Sequence, residues 1–354
     1  MKIIYVDMLY DYGLKERGLN IIGQEGFLKN FIDLGFEVHP FYYDEYLNPP
    51  NFPQLQTEIK KFADQISPDA IFFLTYIDQF DIETLDYLRS KYTTIAWFGD
   101  DTWRFDNYTK NYANHYTYCI TTDKFSIQKY KEIGQKNVIY SQWAAINTSE
   151  MPDFNKEYDY DVSFVGGWHP HREWFIEELK KRNIKVTTFG NGWKNGPVSS
   201  KRMNEIFSTS KINLNLSNST DYDFRYILND YDNISNKLWL RYKIGSKVLK
   251  SFKNISQDSK NREQVKARHF EIPYFYGFQL SYYYSGIVDY FHIGKEIACF
   301  KNIDEAEFLI NYYLNNEDER EQIKQAGHKI VINKHSYKNR LEEIFEYLNK
   351  KEGI

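Results

Sequence analysis

The chain has 354 residues and a formal net charge of −4 at pH 7. This length suits two domains, each large enough to bury a core, and the nearly balanced charge excludes a general affinity for nucleic acid. Two distant cysteines, Cys119 and Cys299, lack the spacing of metal ligands and predict a reducing, cytoplasmic location. The first residues turn acidic too early for a signal peptide, and no run of about 18 apolar residues predicts a membrane span.

The first half of the sequence alternates apolar, strand-like runs with helix-like segments. The predicted strands are Lys2–Val6, Val38–Tyr43, Ala70–Tyr76, Thr93–Phe98 and Tyr116–Thr121. The predicted helices are Glu25–Leu34, Leu55–Ile66, Ile82–Lys91 and a segment between Asp123 and Gly134. Apolar strands that alternate with helices indicate a parallel sheet covered on both faces.

The same pattern begins again after a junction near Asn147–Glu157. The predicted strands are Tyr160–Val165, Val186–Phe189 and Ile212–Leu216, and the predicted helices are Pro170–Arg182, Met203–Phe207, Ile303–Tyr313, Glu317–Lys334 and Lys338–Asn349. We therefore predict an α/β protein with an N-terminal domain at 1–148, a second domain at 149–335 and a C-terminal helix at 336–354 that crosses back. Ligands of such folds bind beyond the carboxyl ends of the strands, here on the side that faces the other domain.

Two glutamates eight residues apart, Glu263 and Glu271, form the strongest constellation. On one continuous helix they would lie roughly 80° apart, so they converge only if the chain bends between them. Lys266 and Arg268, between them, supply cations that suit a diphosphate. The alternative is a solvated helix surface, but the apolar residues around Glu271 argue against simple exposure.

The stretch QVKARHFEIPYFYGFQL (264–280), with GKEI at 294–297 and HSY at 335–337, resembles the C-terminal part of the CgeB-like (spore maturation protein) glycosyltransferases. These are group 1 retaining enzymes of the GT-B architecture. The resemblance continues through SFVGG at 163–167, KINLN at 211–215 and WFGDD at 97–101, and covers nearly the whole chain except 218–262. It implies two facing Rossmann-like domains, with the acceptor on the first and the nucleotide sugar on the second.

The resemblance also implies roles for individual residues. Glu271 matches the glutamate that holds the donor ribose hydroxyls, and Glu263 falls at the spacing of the glutamate beside the transferred sugar. For Glu263, an exposed position at the end of the insertion is an equally open alternative. Gly190 and Asn215 lie in matching segments and are assigned to donor binding on that basis.

Gly166 and Gly167 stand between a predicted strand and a predicted helix. Such a turn lets backbone N–H groups approach a phosphate, although glycines also serve ordinary turns. His169 and His171 could add charge but are more often surface residues. Arg172 is our preferred contact for the diphosphate.

Asp100 and Asp101 end a buried strand of the first domain, where side chains reach the ligand-binding edge. In the resembled group this loop approaches the sugar and the acceptor. The alternative is that these acids cap the helix near Trp103–Tyr108. We predict that one of the two caps the helix and that the other faces the cleft.

Two D-x-D sequences, Asp159–Asp161 and Asp221–Asp223, match the motif of metal-dependent transferases. The first begins a strand, at the wrong edge of the sheet for chemistry, and the second lies in the insertion. No other cluster has the spacing of a metal site. We therefore predict neither a metal nor a cofactor.

Residues 218–262 interrupt the alternation of strands and helices. From Lys237 to Lys260 there are seven Lys and Arg residues and one acidic residue, Asp258. One hypothesis is that this insertion contacts an anionic acceptor or, peripherally, an acidic membrane surface. The alternation at Leu240–Ile244 favours the other, an extra element that packs on the C-terminal domain and is kept soluble by its lysines.

The sequence thus predicts a retaining, metal-independent glycosyltransferase that moves a sugar from a nucleotide sugar to a glycan, protein or lipid-linked acceptor. Two alternatives remain: a nucleotide-sugar epimerase of the same architecture, and a module that binds nucleotide sugars without catalysis.

Overall fold

The computed structural model of the protein describes residues 1–47, 50–148, 151, 157–168, 170–217 and 264–352. These residues form two compact units, one built from 1–142 and 337–352 and the other from the described residues between 143 and 336. The insertion 218–262, Glu263, His169 and the motif Asp221–Asp223 lie outside the described residues.

The first unit is built on a six-stranded sheet. Its strands are β1 (Lys2–Asp7), β2 (Glu37–Tyr42), β3 (Ala70–Leu74), β4 (Thr93–Phe98), β5 (Tyr118–Thr121) and β6 (Val138–Tyr140). All neighbours are parallel, in the order β2-β1-β3-β4-β5-β6. Because β2 and β3 lie on opposite sides of β1, the direction of winding reverses between β1 and β3.

Helices cover this sheet. They are α1 (Lys29–Asp33), which continues a π-helix at Ile22–Leu28, then α2 (Phe52–Ile66), α3 (Ile82–Lys91), α4 (Asp101–Arg104), a second π-helix at Phe105–Thr109, α5 (Lys110–Tyr112), α6 (Ile127–Glu132) and the C-terminal helix Tyr337–Glu352. The C-terminal helix belongs to this unit through aromatic packing. Its Phe345 ring lies 5.7 Å from Phe31 and 4.8 Å from Phe36, and Tyr337 lies 4.9 Å from Phe27.

The second unit repeats the winding with five strands. They are β7 (Tyr160–Val165), β8 (Thr187–Phe189), β9 (Ser210–Asn215), β10 (Gln279–Tyr282) and β11 (Ala298–Phe300). All are parallel, in the order β11-β10-β9-β7-β8, so the winding reverses between β7 and β9. The helices are α7 (Pro170–Lys181), α8 (Ser200–Ser208), α9 (Arg268–Tyr274), α10 (Ile303–Asn315) and α11 (Glu317–Lys334).

The predicted fold class, two α/β units with parallel sheets, is confirmed. The sequence did not predict three short strands, β6, β10 and β11, which are three, four and three residues long. In the part of the chain that the structure describes, no helix is long and apolar enough to cross a membrane.

Candidate functional site

Arg172 joins the two strand ends at the reversal point of the second sheet. It stands in the first turn of α7, and its Nη1 donates to the carbonyl of Gly167, just after β7, at 2.7 Å. Its Nε donates to the carbonyl of Leu216, just after β9, at 3.0 Å. The guanidinium also lies over the Phe164 ring, 5.4 Å from its centroid. The predicted diphosphate contact therefore sits where open α/β sheets bind their ligands.

Hydrogen bonds join the loop after β7 to the end of β8 and the loop that follows it. Gly166 donates its N–H to Phe189 O at 2.9 Å, and Trp193 Nε1 donates to Gly166 O at 2.8 Å. Gly190 has φ +127°, and a Cβ there would lie 2.2 Å from Gly166 O. Only glycine allows this close approach without displacement, so the structure explains Gly190 by loop packing.

This packing corrects the prediction for one of the two glycines. The Gly166 N–H is used by Phe189 O and does not serve as a phosphate donor. Gly167 is exposed, and a Cβ there would meet nothing within 4 Å. Of the pair, Gly167 keeps the predicted role.

Helix α9 carries Arg268 and Glu271 in its first turn. Arg268 Nη1 lies 2.8 Å from Glu271 Oε2, and the Arg268 guanidinium lies over the Phe207 ring at 5.0 Å. The Glu271 side chain keeps only 12% of its surface exposed. Because α9 begins at Arg268 and residues 264–266 are irregular, the helix that carries Glu271 does not extend back to residue 264.

Asn215 belongs to a row of buried polar side chains that we call the polar seam. Its members share one face of the second sheet, from β7, from β9 and the residues after it, and from β10: Ser163, Asn213, Asn215, Ser217, Gln279 and Ser281. Buried parallel strands are normally apolar on both faces. Asn215 Nδ2 has no hydrogen-bond partner among the described residues, although its side chain is buried.

In the first unit, Asp101 is inside the protein. Its carboxylate accepts hydrogen bonds from the Thr109 and Tyr130 hydroxyls, both at 2.6 Å, and the residue is 1% exposed. Burial raises its pKa from 3.8 to about 6, although hydrogen bonds from Thr109, Thr121 and Tyr130 lower it. The predicted catalytic role of Asp101 is therefore wrong, because a substrate cannot reach this carboxylate.

Asp100 occupies the residue before α4, but its side chain makes no capping hydrogen bond. The prediction that one of the two acids caps this helix is therefore also wrong. Asp100 is partly exposed at the end of β4 and keeps its place as a candidate.

The comparisons with known proteins agree with this geometry. Residues 172–346, just under half of the chain, match the family model described as glycosyl transferase-like. None of the curated proteins matches the chain.

Solved glycosyltransferase structures match nearly the whole chain. HepE of Anabaena, solved with UDP and glucose, has a TM-score of 0.59 at 10% identity. The match covers 99% of this chain and 100% of HepE. A glycosyltransferase from Rickettsia africae has a TM-score of 0.58 at 12% identity, with 99% of this chain and 98% of that chain covered. Sucrose-phosphate synthase from Thermosynechococcus elongatus has a TM-score of 0.57 at 8% identity, with 98% and 99% covered.

The protein has the GT-B fold. In this GT-B chain the family match begins at Arg172, the residue that joins the ends of β7 and β9. It also contains β9 and all of α9 with Glu271.

The first D-x-D sequence lies where it was predicted, at the beginning of β7, opposite the carboxyl edge. There Asp161 forms a salt bridge with Lys211, with Lys211 Nζ 2.6 Å from Asp161 Oδ1. Within the described residues, no group of three or more His, Cys, Asp or Glu side chains is arranged to hold a metal ion.

The sequence reasoning missed Ser217, His269 and Ser281 at the carboxyl edge of β9 and β10. The alternation in INLNLS at 212–217 was the available signal, since it places every second residue of a central strand on a polar face. His269 follows two basic residues, Lys266 and Arg268, and no local pattern in the sequence distinguishes it.

Proposed function

We propose that this protein is a glycosyltransferase that transfers a sugar from a nucleotide sugar bound by its second unit. The observation that carries the proposal is the bridge that Arg172 makes across the reversal point of the second sheet, within the segment that matches the glycosyl transferase-like family. Because HepE was solved with UDP and glucose, UDP is the first nucleotide to test.

The residues of the second unit suit a nucleotide diphosphate. Arg172, Lys266 and the Gly167 turn lie near the carboxyl edge, where cations and N–H groups would neutralise charge that develops on the leaving phosphate. Glu271 can accept hydrogen bonds from a ribose diol, since Arg268 Nη1 pairs with one of its two oxygens, Oε2. Arg268 would hold that carboxylate in place and add positive charge.

We further propose a retaining, metal-independent reaction of the CgeB-like type, in which the leaving phosphate accepts the acceptor proton. The first unit would bind a glycan, protein or lipid-linked acceptor, with Asp100 beside it. These finer assignments rest on the resemblance described above and on the partly exposed position of Asp100.

Incubation with UDP-sugars, with and without candidate acceptors, tests the proposal. Transfer or slow donor hydrolysis that persists in EDTA is the expected result, and the anomeric configuration of the product reports retention. An epimerase would convert the donor without an acceptor, and a binding module would bind UDP yet leave every donor intact. Activity that EDTA abolishes and Mg²⁺ or Mn²⁺ restores would contradict metal independence.

A further inference from the structure

His269 lies at the centre of contacts that join three segments of the second unit. It is the second residue of α9 and has no exposed surface. Its Nε2 lies 3.1 Å from Ser281 Oγ in β10 and 3.4 Å from Ser217 Oγ after β9. On its other side, Nδ1 lies 3.0 Å from the backbone nitrogen of Lys266. One imidazole thus connects the start of α9 with two strand ends.

The partners of the ring determine where its proton resides. A backbone N–H can only donate, so the Lys266 N–H makes Nδ1 the acceptor. The Lys266 carbonyl also lies near Nδ1, at 3.2 Å, but it already accepts from the backbone N–H of His269 at 2.9 Å. The proton therefore resides on Nε2, which donates to the nearer hydroxyl, that of Ser281. The Ser281 hydroxyl in turn donates a hydrogen bond to Tyr282 O at 3.2 Å.

The ring is neutral in the folded protein. Burial lowers the pKa of His269 from 6.5 to about 4; the Lys266 carbonyl beside Nδ1 opposes this shift, and the Lys266 charge adds to it. A neutral imidazole has one donor and one acceptor, so each nitrogen keeps a single defined task.

These contacts meet the candidate ligand site at two adjacent residues. Leu216 O accepts from Arg172 Nε, and the next residue, Ser217, contacts His269. The end of β9 is therefore the point where α7, with Arg172, and α9, with Glu271, are attached to the same strand.

We propose that His269 is a positioning residue of the nucleotide-sugar site, whose imidazole fixes Lys266 and the first turn of α9 against the ends of β9 and β10. This inference rests on the proposed function, because it concerns how Lys266, Arg268 and Glu271 are held for the nucleotide. His269 itself is fully buried and touches no ligand.

Three substitutions distinguish the two hydrogen bonds of the ring. His269→Leu removes the bonds of both Nδ1 and Nε2, and His269→Gln places an amide near the position of Nε2. Ser281→Ala removes the hydroxyl that accepts from Nε2. His328→Gln is the matched control: His328 Nδ1 lies 3.0 Å from Pro273 O, so it contacts the same helix near its other end. Each variant and the wild type are titrated with UDP by calorimetry at pH 7.5, with the melting temperature measured beside each titration.

We expect His269→Leu to weaken UDP affinity about tenfold, which corresponds to roughly 1.4 kcal/mol, even where the protein is fully folded. His269→Gln should recover most of that affinity, and Ser281→Ala should fall between them. His328→Gln should lower the melting temperature and leave UDP affinity unchanged. If His269→Leu does not fold, the comparison of Ser281→Ala with His328→Gln decides.

Two results overturn the inference. One is wild-type UDP affinity in folded His269→Leu and Ser281→Ala. The other is an equal loss of affinity in His328→Gln, because the effect would then be general loosening of α9. If the wild type binds none of UDP, GDP, ADP, dTDP and CMP, the proposed function itself fails and takes the inference with it, a result distinct from the first two.

Discussion

Arg268 and Glu271, which the sequence suggested as two separate donor contacts, form an ion pair with each other, with Arg268 Nη1 2.8 Å from Glu271 Oε2. The pair lies within one turn of α9 and is largely shielded from solvent, so the arginine holds the carboxylate in one orientation. Substitution of either residue therefore leaves the side chain of the other without its charged partner in this pair.

Glu271→Ala should weaken nucleotide binding. Loss of a charged acceptor from a ribose diol costs roughly 1.5–3 kcal/mol, and the freed Arg268 adds no compensating contact. Calorimetric titration with UDP measures the effect. Arg268→Met is the control for the ion pair: it keeps the Glu271 carboxylate and removes only the arginine that orients it, so a smaller loss is expected. Equal affinity of Glu271→Ala and the wild type would rule out the ribose role.

The neighbouring acids Asp100 and Asp101 should separate function from stability. Asp101→Ala leaves the buried Thr109 and Tyr130 hydroxyls without their acceptor, so the free energy of unfolding should fall by about 1–3 kcal/mol for each. UDP affinity should not change. Asp100→Asn should instead keep the melting temperature and lower the turnover of transfer. Denaturant titration and initial rates test both variants. A loss of turnover in folded Asp101→Ala would contradict the assignment of Asp101 to stability alone.

Most strands and most helices could be predicted because their signals are local. Ala70–Leu74 is a run of apolar residues long enough for a buried strand, and Gly134 ends a helix with φ +85°. The burial of Asp101 could not be predicted, because it depends on hydroxyls brought from Thr109 in a π-helix and Tyr130 in α6. In sequence, an acidic residue before a helix has the same pattern whether it caps the helix, binds a ligand or lies buried in the core.

Asp7 should make the first unit less stable as the pH rises. It ends β1 with 2% exposure, and its Oδ2 lies 2.7 Å from the Tyr5 hydroxyl and 3.0 Å from Asn20 Nδ2. Burial raises its pKa from 3.8 to about 7. Between these values the folded protein keeps a proton that the unfolded chain releases, so this group's contribution to stability declines from pH 4 to 7.

Asp7→Asn removes this titration while it keeps the shape of the protonated acid. The free energy of unfolding of the variant, relative to that of the wild type, should therefore rise progressively from pH 4 to pH 7 and level off above it, with a slope of at most about 1.4 kcal/mol per pH unit. Asp33→Asn, at an exposed position on α1, controls for the change in net charge. A constant difference across this range would show that Asp7 is ionised throughout.

The candidate site was predictable only in part, for the same reason that Asp101 was not. Arg172 was identified because a cation follows a Gly-Gly turn at the start of a helix, a local arrangement. The contact of His269 with Ser217 and Ser281 joins residues 52 and 12 positions apart. Such a contact becomes visible only when β9 and β10 are neighbours, and β10 was itself not predicted.

Gly190 and Gly167 should respond in opposite ways to alanine. At Gly190 a Cβ would lie 2.2 Å from Gly166 O, and the residue has φ +127°, which alone costs an L-residue roughly 1–3 kcal/mol. Gly190→Ala should therefore push apart the loops after β7 and β8, lower the melting temperature and weaken UDP binding. At Gly167 a Cβ meets nothing, so Gly167→Ala should keep the melting temperature. Thermal unfolding and UDP titration of the two variants distinguish a packing glycine from a phosphate-turn glycine. If Gly190→Ala melts with the wild type, the contact between these loops is not what requires glycine there.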